Sequence, residues 1–229
     1  MNENAKELVF LHSQYLEEEP YTTDEVIAKY SENKEDSVKR LIRTHKEDLE
    51  EFGKTTFEIR KPQKGSKGGR PKKTYLLNEE QATLLITYLD NTEPVRRFKK
   101  ALVRQFYDMK NELYARRMER QKEKSVRKSM TDVIKELGLS SHYYKHYTDL
   151  VYKTALGFNA KQLREAREVS KKSTILDFLT SEEIEAVNKR EQQVATLLTL
   201  KMDYGTIKSI LNGQGVLYQT TLKMPAKTN

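Results

Sequence analysis

Residues 21–44 read YTTDEVIAKYSENKEDSVKRLIRT. Thr22 or Thr23 is placed to cap a helix, because a hydroxyl can accept a hydrogen bond from the first exposed amides, and Asp24 and Glu25 suit the positive end of that helix. Val26 and Ile27 supply its buried side, and it stops near Tyr30-Ser31. Asn33 is placed to cap a second helix, with Asp36 three residues on as a loose capping box. This helix runs to about Thr44. Val38, Leu41 and Ile42 form its narrow apolar stripe, and at 100° per residue Lys39, Arg40 and Arg43 fall opposite, with Ser37 on the flank. Two short helices joined by a tight turn, the second apolar behind and basic in front, suit a helix-turn-helix whose second helix enters a major groove. An ordinary helical hairpin with a solvated basic face fits the same residues.

Downstream, TTFEI (55–59) and TYLL (74–77) alternate as short strands. They enclose RKPQKGSKGGRPKK (60–73), seven Lys/Arg and no acid. Two strands with a basic, glycine-rich tip make a wing, in which Lys64, Lys67, Lys72 and Lys73 are expected to neutralise phosphates. Gly69-Arg70-Pro71 is similar to the core of an AT-hook, although Gly68 stands where that motif has its first arginine. Arg70 is therefore read either as a minor-groove side chain or as one more phosphate contact.

Upstream of the first helix, residues 7–16 read as a strand-like or irregular start. Beyond the wing, Asn78 and Gln81 form a capping box for a further helix. Pro94 opens a long one, roughly 95–120, with a stripe of Phe98, Leu102, Phe106, Met109 and Leu113. Its basic face is expected to join the DNA contact. Residues 116–128 read as a charged helical linker. From 129 onward the pattern is all-helical, with Gly138, Gly157 and Gly205 as stops and Asn159 and Ser181 as caps. The stripe of the long helix after Ser181 is Ile184, Val187, Val194, Leu198 and Met202. The stretch after Gly215 is either frayed or paired with something the pattern does not identify.

Composition sets the frame. The 229 residues are 36% hydrophobic and 33% charged, without cysteine. Disulfides, thiolate metal sites and cysteine nucleophiles are excluded. The start MNENAKELVF lacks the pattern of a signal peptide, and no apolar run is long enough to span a bilayer, so a soluble cytoplasmic protein of a bacterial host is expected, with no membrane partner. Net charge is +8, with +7 in residues 60–73 and +9 in 95–128, leaving −8 for the remainder. Positive charge gathered beside a reading helix is the footprint of a nucleic-acid binder. His142 and His146 share a helical face without a third ligand, and no nucleophile-base or paired-carboxylate arrangement stands out. Neither a cofactor, a metal nor an enzymatic activity is expected.

The order of these elements resembles the N-terminal domain of the phage Rha-type regulatory proteins over about residues 20–113. The matching residues are Thr23, Val26, Ile27, Ala28, Ser37, Val38, Arg40, Ile42, Gly69, Arg70, Tyr75, Leu76, Leu77, Phe98, Lys99, Phe106, Tyr107 and Met109. Where that family has a Gly-Lys-x-His step before the second helix, this chain has Ser31-Glu32-Asn33-Lys34-Glu35. The C-terminal region is similar to the helical C-terminal domains of phage antirepressors. The resemblance implies phage or prophage origin and a role in gene control.

The combined expectation is a mostly α protein with a small β wing. A winged helix-turn-helix occupies residues 1–115, a charged helical linker 116–128 and a helical association domain 129–229. Double-stranded DNA is the expected partner, bound through Ser37, Lys39, Arg40, Arg43, Lys64, Lys67, Arg70, Lys72 and Lys73. A homodimer through the C-terminal helices is a second expected association. The alternative is an antirepressor-type protein that acts by binding a phage repressor protein.

Overall fold

The computed structural model describes residues 7–12, 18–60, 71–170 and 173–222. It is mostly helical, with one three-stranded antiparallel sheet, and divides into two compact units near residue 111.

In the first unit, β1 (Tyr21–Thr23) leads directly into α1 (Asp24–Ser31). Thr23 is the N-cap, its hydroxyl accepting from the Val26 amide at 3.2 Å. After the turn comes α2 (Glu35–Thr44). Its N-cap is Lys34, which gives no side-chain cap, so the capping box expected from Asn33 and Asp36 does not form. Asn33 instead turns its amide back onto the Ser31 carbonyl and hydroxyl. A one-turn helix, α3 (Lys46–Glu50), follows. The sequence reading passed over it because only Leu49 among its residues is apolar.

Strands β2 (Thr56–Arg60) and β3 (Lys72–Asn78) pair antiparallel, with Phe57 opposite Tyr75 and Ile59 opposite Lys73. β1 pairs with the other edge of β3, Thr23 opposite Leu76, so the strand order is β1-β3-β2. The N-terminal stretch contributes one bridge, Phe10 to Tyr21, with bonds of 2.7 and 2.9 Å. Asn78 and Gln81 form the expected capping box at the start of α4 (Glu79–Thr87). The Gln81 amide also donates to the Gly53 carbonyl at 2.7 Å, tying α4 to the turn after α3. Ile27, Val38, Ile42, Leu77, Leu85, Phe98, Leu102 and Phe106 close one apolar core. The last three come from α5 (Glu93–Glu136).

The second unit begins in the same helix. Residues 116–128, expected as a charged helical linker, are helical but give side chains to this unit, with Arg116 and Glu123 buried. Met130 and Ile134 pack with α6 (His142–Leu156), α7 (Ala160–Ala166), a short 3-10 helix (Ile175–Phe178), α8 (Ser181–Thr199) and α9 (Tyr204–Gly213). Two boundaries differ from the sequence reading. The N-cap of α8 is Thr180, with Glu183 completing a capping box, and Ser181 is the first helical residue. α8 ends at Thr199, and Gly205 lies in the first turn of α9, where Asp203 accepts the Gly205 and Thr206 amides.

Residues 215–220 pair. Leu217 and Tyr218 donate backbone N–H to the Thr154 and Ala155 carbonyls. Those carbonyls lie in the last turn of α6, where no intrahelical donor remains. Fully buried Arg190 adds a second donor to Thr154 and another to the Gly215 carbonyl. Gly157 ends α6 at φ +83°, a conformation that favours glycine, and the atoms a Cβ there would meet, 2.9 Å away, are the end of the flexible Gln219 side chain.

No helix among the described residues is long and apolar enough to cross a membrane.

Candidate nucleic-acid interface

The site is assembled on α2. Val38 and Ile42 are 0% and 1% exposed, which fixes the helix's rotation against the core. Ser37, Arg40 and Arg43 are consequently exposed, as is Thr44, which the sequence reading did not select. Among the described residues neither Arg40 nor Arg43 makes an ion pair.

Lys39 and Lys72 behave differently from expectation. Both are drawn into a cluster with Asp24, Glu25 and Glu35. Lys39 Nζ lies 2.9 Å from Glu35 and 3.6 Å from the buried Asp24 carboxylate. Lys72 Nζ lies 2.9 Å from Glu35 and 3.2 Å from Glu25. The ammonium of Lys39 holds the Glu35 carboxyl below the usual range, with Lys72 contributing. The Glu35 and Glu25 carboxylates in turn raise the Lys72 ammonium. Burial pushes the Asp24 carboxyl up, although it accepts the Tyr75 amide at 2.6 Å. Glu25 accepts the Thr74 hydroxyl at 2.6 Å. These bonds lock the start of α1 and the first turn of α2 to β3. The charge of both lysines is matched by carboxylates of the same unit. Helical phase placed Lys39 on the front of α2 and the basic run placed Lys72 in the wing; neither records Asp24, 15 residues before Lys39, or Glu35, 37 residues before Lys72.

Replacing Lys39 by Ala leaves Asp24 buried without its cation. Stability is expected to fall by about 1–2 kcal/mol, while affinity for DNA at unsaturating salt stays within about twofold, less than 0.5 kcal/mol. Urea unfolding and a binding titration check both; an intact urea midpoint with lost DNA affinity would return Lys39 to the DNA contacts of α2.

Lys73 points to the other face of the hairpin. Its ammonium lies 3.8 Å from the Phe57 ring centroid and 4.4 Å from that of Tyr75. Lys64, Lys67 and Arg70 lie outside the described residues.

The +9 of residues 95–128 also divides. Within the first unit, Arg97, Lys100 and Arg104 are exposed at spacings of three and four and make no ion pair with a described residue, whereas Arg96 pairs with Glu93 and Lys110 with Glu79. In the second unit three of the arginines are engaged locally. Arg116 donates to the Asp177 carbonyl at 2.6 Å, Arg120 pairs with Glu123 and Asp177, and Arg127 pairs with Glu191. A count of charges along a helix does not reveal acids brought in by α8 and the 3-10 helix. Among the described residues no cluster of three or more His, Asp or Glu groups is arranged to hold a metal.

Residues 22–111, which hold α2, strands β2 and β3, and Arg97, Lys100 and Arg104, match the family model described as phage regulatory protein Rha. No curated protein matches the chain.

Proposed function

We propose that a chain whose N-terminal half has the Rha match is a phage or prophage gene regulator, and that this half is a winged helix-turn-helix reading duplex DNA. The supporting observation is the arrangement of α1, a tight turn and α2 on the β1-β3-β2 sheet, with Ser37, Arg40 and Arg43 outward and uncommitted. A helix held by one stripe and presenting hydroxyl and guanidinium groups fits a major groove, where arginine can donate two hydrogen bonds to a guanine edge. Arg97, Lys100 and Arg104 supply phosphate contacts in this reading, and the β2–β3 hairpin is the wing. The protein acts by binding rather than by catalysis, in the cytoplasm of the host, and its second unit serves association with another copy or another protein.

The test is binding to duplexes selected from a random pool on the intact chain. Affinity is expected to fall log-linearly with salt, with a slope of about −0.9 per phosphate neutralised. Arg43→Ala is expected to weaken the selected site by about 5- to 150-fold, the worth of one guanine contact, with thermal stability unchanged. Lys72→Ala leaves the salt slope unchanged, since that lysine is already paired. Binding that is indifferent to salt and to Arg43 rules the reading out.

A further inference from the structure

The β2–β3 hairpin, the wing of the duplex-binding reading, has one face whose aromatic and apolar side chains that reading leaves unused. Cross-strand partners share a face of a sheet, and alternate residues along a strand return to it. Leu77, Tyr75 and Lys73 of β3 therefore lie on the same side as Phe57 and Ile59 of β2. Exposure rises along this face from Leu77 at 0% to Phe57 at 48% and Ile59 at 61%. The apolar stripe begins in the core and continues beyond it along the hairpin. An apolar strand end in water is costly and offers a docking surface.

The charge around it indicates the occupant. Lys73 lies over the rings of Phe57 and Tyr75, themselves 6.4 Å apart and edge to face. A ring that admits an ammonium 3.8 Å above its centroid presents its π face, rather than its edge, on that side. The two strands are joined by a sequence in which residues 60–73 hold seven Lys/Arg and no acid. An apolar protein surface docking here would have to desolvate the Lys73 ammonium. A nucleotide satisfies both parts of the surface, its base stacking on the ring and its phosphate taking the lysine. Duplex bases are already stacked on one another, so the ligand that gains most is an unpaired strand.

We propose that the Phe57–Ile59–Lys73–Tyr75 face is a stacking platform for unpaired DNA bases, separate from the α2 surface. Phe57 is the principal stacking ring, Ile59 extends the apolar floor, and Lys73 exchanges its contact with the rings for one with phosphate.

The chain has no tryptophan, so Phe57→Trp creates a unique fluorescent reporter at the platform. With the intact protein and a ~12-nucleotide oligothymidylate, Phe57→Trp is expected to keep wild-type affinity and to show quenched emission on binding. Phe57→Ala is expected to bind about 5- to 150-fold more weakly, the loss typical of one stacked base. Phe57 is exposed, so folding is expected to be intact in both variants, and circular dichroism verifies it. Arg43→Ala, which tests the duplex reading, is expected to leave oligothymidylate affinity unchanged. The proposal is overturned if the wild type does not bind the oligonucleotide, if Phe57→Ala binds as well as wild type, or if the tryptophan emission is unaffected by saturating strand. None of those results bears on α2, so the duplex reading would stand or fall by its own test.

Discussion

Replacing Arg167 by Met is expected to cost about 3–5 kcal/mol of stability in the second unit, because it leaves a buried carboxylate without its cation. Arg167 and Glu183 side chains are 2% and 3% exposed. Arg167 donates to both Glu183 oxygens, to the Phe178 carbonyl at 2.6 Å and to the Thr220 hydroxyl. Glu183 meanwhile accepts the Thr180 amide at 2.9 Å as part of the α8 capping box. One ion pair thus joins α7, the 3-10 helix, the start of α8 and the segment after α9. Burial by itself pushes the Glu183 carboxyl up, but Arg167, Thr220 and the Thr180 amide outweigh it, and the group sits below its usual value. Its stabilising contribution is therefore present above the ordinary carboxyl range and lost as pH falls through the lowered folded value. In Arg167→Met the burial remains while its main counterweight is gone. The carboxyl should then titrate above its ordinary value, and the variant should regain stability on acidification where the wild type does not. Urea unfolding at pH about 7 and about 5 separates the two. A second substitution, Glu183→Gln, should recover part of the loss at neutral pH. An Arg167→Met midpoint equal to wild type would mean that the pair contributes nothing.

A second carboxylate in the same unit is expected to show the opposite sign. Glu191 is completely buried, with Arg127 donating to one oxygen at 2.6 Å and no hydrogen-bond partner for the other. Burial pushes its carboxyl up to about 7, the Arg127 guanidinium opposing the shift without cancelling it. Below its ordinary value of 4.5 the group is protonated in both folded and unfolded chains. As pH rises from there to about 7 the unfolded chain ionises first, so folding loses stability across that window. The total approaches about 3 kcal/mol, at 1.36 kcal/mol per pH unit of separation. Glu191→Gln keeps an acceptor for Arg127, whose side chain is one-third exposed and retains access to water. The variant is expected to exceed wild type by about 2–3 kcal/mol at pH about 8 and to lose this pH dependence. Denaturation midpoints across the window decide it; a variant less stable than wild type at the upper end would show that the ion pair outweighs the burial.

These two groups illustrate what local pattern conveys. Apolar spacing located α1, α2, α4 and α8, because one buried face repeats every three or four residues whatever the helix packs against. Thr23, Asn78 and Asn159 were legible as caps, because a cap bonds to amides two or three residues ahead in the chain. The outward position of Ser37, Arg40 and Arg43 followed from the Val38–Ile42 stripe for the same reason, and the order of elements sufficed to place residues 22–111 beside phage regulatory protein Rha. Charge did not resolve in this way. Lys39 was read on the front of α2 and Lys72 as a phosphate contact of the wing, whereas β3 brings Lys72 to Glu35 and Lys39 lies beside the buried Asp24. The basic run through Arg116, Arg120 and Arg127 looked like a solvated linker until the 3-10 helix and α8 supplied its partners. Segment 215–220 had no legible role, because it fills donor and acceptor positions left by the end of α6 and by Arg190. The sequence by itself therefore located most of the helices and the buried stripe of α1, α2, α4 and α8, while it missed α3 and the burial of Arg116 and Glu123. The tertiary structure alone decided which charges are free, because an ion pair depends on distance in space and periodicity records only distance along the chain.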